Sequence, residues 1–215
     1  VYRYPYTRGE LVPTGAMETI VRNLPAEKDH DAKAFAFDLY GGLLVEIGSP
    51  YNVFSDGDRR KGAKGKTDAE IAEFQRTYGG FWRFDANKPN QTQADGTRFS
   101  TGHRHALALA WHPVGRNFFM VQMGRDNMNV IAPDHYDELD NAERVSEVMH
   151  LLREGSNLGW PTSYWDPIKK AHMLAPEYGG DNRRRIEPDP FDKPVVAFPA
   201  HWAPNQMAHY AGTQF

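Results

Sequence analysis

A few polar side chains sit where a folded chain could use them for chemistry. His30 lies in the charged stretch Glu27-Lys28-Asp29-His30-Asp31. An imidazole that titrates near neutrality can take the proton of a hydroxyl, so His30 is a candidate general base. A solvated loop histidine is the plainer account. Arg104 stands just ahead of the apolar run 107–111. A fixed guanidinium there suits a site where negative charge develops, or else a structural ion pair. His103 and His105 flank it two residues apart, on one face of an extended segment, and a metal would need further ligands. His201 is a pocket residue or a core histidine bonded to backbone. Asp126, with Asp134, Asp137 and Glu138, could gather calcium, although surface acidity is the simpler account. Arg183-Arg184-Arg185 lies beside Asp181 and Glu187 and reads as a solvated loop.

The elements that must position these groups are strands. Apolar runs at 1–6, 18–22, 34–38, 43–47, 80–84, 98–101, 107–111, 118–122, 147–152, 195–198 and 207–210 are short and bounded by Gly, Pro, Asn or Asp. Helical signal is confined to 67–78, where Thr67 and Glu70 form a capping box, and to 134–144. The two hairpin patterns at 34–48 and 107–124 are alike, each followed by a polar excursion and two more strands. A third copy is expected from Met207. Four strands repeated along a chain predict propeller blades. The copies start about 73 and about 100 residues apart against the usual ~40–45, the excess lying in long insertions. We expect an all-β chain: a partial β-propeller of about three four-stranded blades with helical insertions, one domain over 1–215, cut at both ends. In a propeller the loops entering first strands and leaving second strands meet near the axis. His30, Arg104 and His201 precede first strands, while Gly48-Ser49-Pro50 and Gly124-Arg125-Asp126 follow second strands, so these sets form the candidate pocket.

Composition narrows the classes. With 25 basic and 28 acidic residues the net charge is −3, so nothing favours a nucleic-acid partner. The absence of cysteine excludes disulfides, thiolate metal sites and a cysteine nucleophile. No run of apolar residues is long enough for a transmembrane helix. No phosphate-binding loop, dinucleotide fingerprint or serine elbow is present.

Five stretches, in order, resemble the glucose/sorbosone dehydrogenases. Leu44-Val45-Glu46-Ile47-Gly48-Ser49-Pro50-Tyr51-Asn52-Val53, Gly102-His103-Arg104-His105 through Pro113, and Met123-Gly124-Arg125-Asp126-Asn127 are three of them. The other two are Ser146 through Pro161, ending in Asn157-Leu158-Gly159-Trp160-Pro161, and Ala200-His201-Trp202-Ala203-Pro204. The resemblance implies a six-bladed propeller that holds pyrroloquinoline quinone (PQQ) over a calcium ion and oxidises aldoses or sorbosone-type sugars. It implies a periplasmic or secreted protein that passes electrons to an external quinone, cytochrome or dye.

By that resemblance His30 takes the hydroxyl proton and Arg104 meets the quinone oxygens. His201 and Arg125 are further cofactor contacts, and the Gly124–Arg125 turn offers backbone carbonyls to calcium. Several positions depart from the pattern: His105 replaces Asn, Leu107 replaces Gly, and Leu158 replaces Tyr. Gln122 stands where an acidic or amide residue is usual. Ser49 stands where glucose-oxidising members carry an Asp that orients the base, which places the chain nearer the sorbosone branch. Two other readings remain open: a non-catalytic propeller that has lost the cofactor, and a calcium-dependent propeller lactonase.

Overall fold

The structure, a computed structural model, describes residues 1–26 and 29–214. Glu27 and Lys28, which belong to the charged stretch ahead of His30, lie outside the described residues. Two antiparallel sheets dominate. The first is built from β1 (Phe35–Phe37), β2 (Gly42–Ile47), β3 (Gly80–Asp85) and β4 (Thr97–Thr101), in that spatial order. The short segment Ser156–Asn157 adds to the outer edge of β4 in parallel. The second sheet is β5 (Ala106–His112), β6 (Asn117–Gln122), β7 (Ser146–Leu152) and β8 (Val196–Ala200), again in chain order. Each sheet is thus a four-strand meander, and the strand-rich, repeated reading of the sequence is borne out. Three two-stranded pieces complete the strands among the described residues. The run 207–210, expected to open a third copy, forms no strand.

Alternation explains how the sheets stack. In β6, Phe118 and Met120 point inward while Phe119 points out. They meet Leu44, Phe81 and Phe99 of the first sheet together with Ala106, Leu109 and Leu152, forming one core between the sheets. The innermost strands β1 and β5 lie side by side. β2 is buried along its whole length because its other face, carrying Leu43, Val45 and Ile47, packs under Ile20, Val21 and Trp82. Glu46 shares the inner face with Leu44, an acid in an otherwise apolar strand.

The helices lie in insertions. α1 (Asp68–Gln75) begins at the capping box foreseen: the Thr67 hydroxyl accepts from the Glu70 N–H at 3.3 Å, and the Glu70 carboxylate accepts from the Thr67 N–H at 2.9 Å. Such a reciprocal cap satisfies two otherwise orphaned donors. α2 (Met128–Ile131) and α3 (Glu138–Glu143) follow β6. Met128 and Ile131 of α2 pack with Val53 and Tyr136 in a separate small core.

Candidate functional site

The site forms where the turn leaving β2, the turn leaving β6 and the segment entering β5 come together. Gly102, at φ +77°, starts that segment, and a Cβ there would collide with the Asn157 amide oxygen and stand 2.6 Å from the Gly159 nitrogen. Glycine is what lets the chain turn here against the backbone of 157–159. Two residues on, the Arg104 backbone bridges the sheets. Its N–H donates to the Gln122 side chain at 2.9 Å, and its carbonyl accepts from the Ser49 N–H at 2.7 Å.

The Arg104 side chain is only 2% exposed. Its guanidinium donates to the Asn52 carbonyl (3.2 Å), the Asn52 side-chain oxygen (2.8 Å) and the Asp126 carboxylate (2.7 Å). Burial lowers its pKa from the ordinary guanidinium value, and the Asp126 charge opposes that. Asp126 is the shared partner of the cluster. Arg59 reaches it at 3.9 Å, and His201 Nδ1 lies 3.7 Å from it. His201 is exposed, and its Nε2 sits 2.8 Å from the Asn141 carbonyl.

His30 is half-buried beside these groups. Its Nδ1 is 2.5 Å from the Ser49 carbonyl oxygen. A carbonyl only accepts, so Nδ1 carries the proton and Nε2 keeps the lone pair. The His30 ring stacks on His105 with centroids 4.6 Å apart and planes 21° apart. Burial, then the Arg104 charge, pushes the His30 pKa down to about 4, against the opposing pull of the Ser49 carbonyl. The imidazole is therefore neutral at pH 7. His30, Arg104 and His201, distant in sequence, are thus neighbours of one small region, joined through His105 and Asp126.

Arg125 does not join them by its side chain. Its guanidinium is buried in the insertion, 3.3 Å from Glu177 and 3.1 Å from the Tyr136 hydroxyl, and 4.2 Å over the Tyr164 ring. What its turn offers the site is backbone. The Gly124 N–H donates to Glu147 at 3.2 Å. A cavity of about 30 Å³ is lined by Arg104, Gln122, Gly124, Arg125, Ser146 and Ser163 among others. The hydroxyls of Ser146 and Ser163 are buried with no partner among the described residues. Such a space holds one water or one bare ion and no ring system. Among the described residues no group of three or more His, Asp or Glu side chains is placed to hold a metal. Carbonyl and hydroxyl oxygens are the donors present, and these suit a hard cation such as calcium.

Asn52, Gln122, Glu46 and Asp126 carry much of this geometry. The sequence marked Asn52 and Glu46 only as motif letters and Asp126 mainly as surface acidity. The signal that could have found them is their place next to turns that must converge.

Two further histidines are buried behind the site. His103 is fully buried, and among the described residues neither of its ring nitrogens nor His150 Nδ1 has a hydrogen-bond partner. Burial, with the neighbouring His150 and Arg98, holds His103 well below its ordinary value, and burial, then His172, takes His150 to about 3. A histidine held neutral in the fold gives stability that is full above pH 6.5 and lost as pH falls, because only the unfolded chain takes up the proton. Glu46, Glu147 and Glu177, whose pKa values burial raises, run with the opposite sign. The clean observable is therefore a difference. The stability lost by wild type between pH 7 and pH 5 should exceed that lost by His150→Gln by about 2 kcal/mol. Thermal melts of both at the two pH values measure it, and equal losses would contradict the assignment.

Comparison with protein-family models and with curated proteins by sequence finds no match. Comparison of structures does. The chain is similar to a Trichoderma reesei carbohydrate-active enzyme of family AA12, in its iodide and calcium structures, at 17% and 18% identity. The TM-scores are 0.66 and 0.65, covering 96% of this chain and 52% of that one. It is similar to the holo form of the pyranose dehydrogenase PQQ domain from Coprinopsis cinerea: 13% identity, TM-score 0.65, 95% of this chain and 51% of that chain. It is also similar to a putative oxidoreductase (glucose dehydrogenase) of Thermus thermophilus: 20% identity, TM-score 0.50, 88% and 46% covered. The fold is thus an all-β partial propeller of the kind found in PQQ-dependent sugar dehydrogenases. The chain spans about half the length of these proteins.

Proposed function

We propose that this chain is part of one propeller domain, 1–215, of a PQQ-dependent dehydrogenase acting on an aldose or sorbosone-type sugar. The observation that carries the reading is His30: neutral, with Nδ1–H committed to the Ser49 carbonyl, and so presenting Nε2 as a proton acceptor beside a buried arginine. In this reading Nε2 of His30 accepts the proton of the sugar hydroxyl. Arg104, held by Asn52 and Asp126, would meet the quinone oxygens that gain negative charge and supply a fixed positive charge beside them. His201 and Arg125 complete the cofactor surroundings, His201 from the exposed side and Arg125 through its turn. The carbonyls of Gly124 and Arg125, with Ser146 and Ser163 lining the same small cavity, would hold calcium. PQQ, when bound, supplies the hydride acceptor. An external acceptor would take the electrons, and the family resemblance supports a periplasmic or secreted location. No helix among the described residues is long and apolar enough to cross a membrane.

The test is reconstitution of the intact protein with PQQ and calcium, followed by dye reduction with a panel of aldoses and sorbosone. Activity is expected, and His30→Ala should lower kcat on the order of 10²–10⁴-fold. Failure to take up the quinone would overturn the reading in favour of a non-catalytic scaffold. Hydrolysis of lactones with calcium alone would overturn it in favour of a lactonase.

A further inference from the structure

His30 sits at φ +57° in a loop, five residues ahead of β1, and among the described residues one hydrogen bond, to the Ser49 carbonyl, holds one edge of its ring. A ring held at one edge can still tilt. The face of the ring is covered by His105, whose own position is fixed. His105 is 4% exposed, it leads directly into β5, and its carbonyl accepts from the Met123 N–H at 2.9 Å.

Behind His105 lies Glu46, 0% exposed. One Glu46 oxygen accepts from the Ala106 N–H at 3.2 Å and lies 3.4 Å from His105 Nδ1, in contact with the ring but out of hydrogen-bond alignment, while the other has no partner among the described residues. An apolar residue at 46 would pack on this strand at lower cost than a buried carboxyl. The chain also makes room for the pair. A Cβ on Gly48 would stand 2.5 Å from the Glu46 oxygen and 3.0 Å from His105 Nδ1, so no larger residue fits there.

We propose that Glu46 and His105 are positioning residues for His30: the buried carboxyl fixes the His105 ring, and that ring, stacked on His30, keeps Nε2 aimed at the open side of the site. The proposal rests on reading His30 as the base, and it deepens that reading. It explains how the site works with Ser49 where an orienting carboxylate would otherwise stand. The second restraint on the base comes from a ring, not from an acid.

The test compares His105→Ala with His105→Phe in the intact protein, the second keeping a ring in the stack. His105→Ala is expected to lower kcat by on the order of 10²-fold with KM changed by about twofold at most, and His105→Phe to restore kcat to within about fivefold of wild type. Glu46→Gln, which keeps shape and an acceptor, should stay close to wild type, whereas Glu46→Leu should behave like His105→Ala. A second readout needs no turnover. By nitrogen-15 NMR the His30 Nδ1–H should exchange slowly in wild type and in His105→Phe, and rapidly in His105→Ala. Equal behaviour of the alanine and phenylalanine variants in that exchange overturns the proposal. If wild type shows no sugar oxidation while the exchange pattern is as expected, the dehydrogenase reading fails and the restraint on His30 stands.

Discussion

Asn52→Leu is expected to destabilise the protein by about 3 kcal/mol or more, a fall in Tm of about 6–12 °C for a chain of this size. The side chain is 0% exposed, and both its nitrogen and its oxygen are hydrogen-bonded. Its amide nitrogen donates to the Asp126 carbonyl at 2.6 Å, and its oxygen accepts from the Asp126 N–H and from the Arg104 guanidinium, both at 2.8 Å. Asn52 thus imitates a strand pair between two turns that lie 74 residues apart. Leucine fills the volume and satisfies none of the three groups. The Asp126 carbonyl and N–H lose this partner at about 1–3 kcal/mol each, while Arg104 keeps the residue-52 carbonyl and the Asp126 carboxylate, and the penalty exceeds what the extra apolar contact returns. Asn52→Asp keeps the acceptor for Arg104 and for the Asp126 N–H but sets its second oxygen against the Asp126 carbonyl, so its cost should lie between those of wild type and leucine. Thermal melts of the three proteins test the ordering. A leucine variant melting within about 2 °C of wild type would mean that the turns are held by something other than this amide.

This residue also marks how far the sequence was legible. The eight strands of the two sheets all fall within or overlap the predicted apolar runs, because alternation and bounding turns are local signals. The run 207–210 has the same local look and yet forms no strand. It lies against Ala110, His112, Phe119 and Met149, on the outer face of the second sheet, with the His209 ring 4.5 Å from that of His112. Strand propensity says that a segment suits a pleated surface, and it cannot supply an edge to pair with.

The site divides in the same way. His30 and Arg104 were reachable because a repeat predicts which loops converge; His201 was expected ahead of a third copy that forms no strand, and it reaches Asp126 from the end of β8 instead. The partners that fix them were not, since a hydrogen bond between residues 52 and 126, or a contact between 46 and 105, leaves no periodic trace. Arg125 shows a further limit. Its place in the chain put it at the site, and its backbone lies there, but the side chain turns the other way into the insertion.

That turn sets up the second large effect. Arg125→Met is expected to cost about 3–5 kcal/mol, because it leaves a buried carboxylate without its cation. The Glu177 side chain is 0% exposed, and the two Arg125–Glu177 distances are 3.3 and 3.4 Å. The pair, with the Tyr136 hydroxyl and the Tyr164 ring, ties the insertion after β6 to the one after Ser156–Asn157. Glu177→Leu should be comparably harmful, leaving a buried guanidinium with one hydroxyl and a ring face. Joining two charges in the interior, however, recovers little beyond their desolvation. The double variant Arg125→Met/Glu177→Leu should therefore return to within about 1 kcal/mol of wild type, so the two losses do not add.

The pH dependence gives a second check. Burial already raises the Glu177 pKa and Arg125 opposes that, so removing the arginine raises it further. A carboxyl whose folded pKa is raised loses stability as pH rises through that value. The deficit of Arg125→Met should accordingly be larger at pH 8 than at pH 5, while that of the double variant should not change. Chemical denaturation at both pH values measures all four corners of the cycle. A double variant as unstable as either single one would show that these side chains matter for their shape, and that the ion pair itself contributes nothing to joining the insertions.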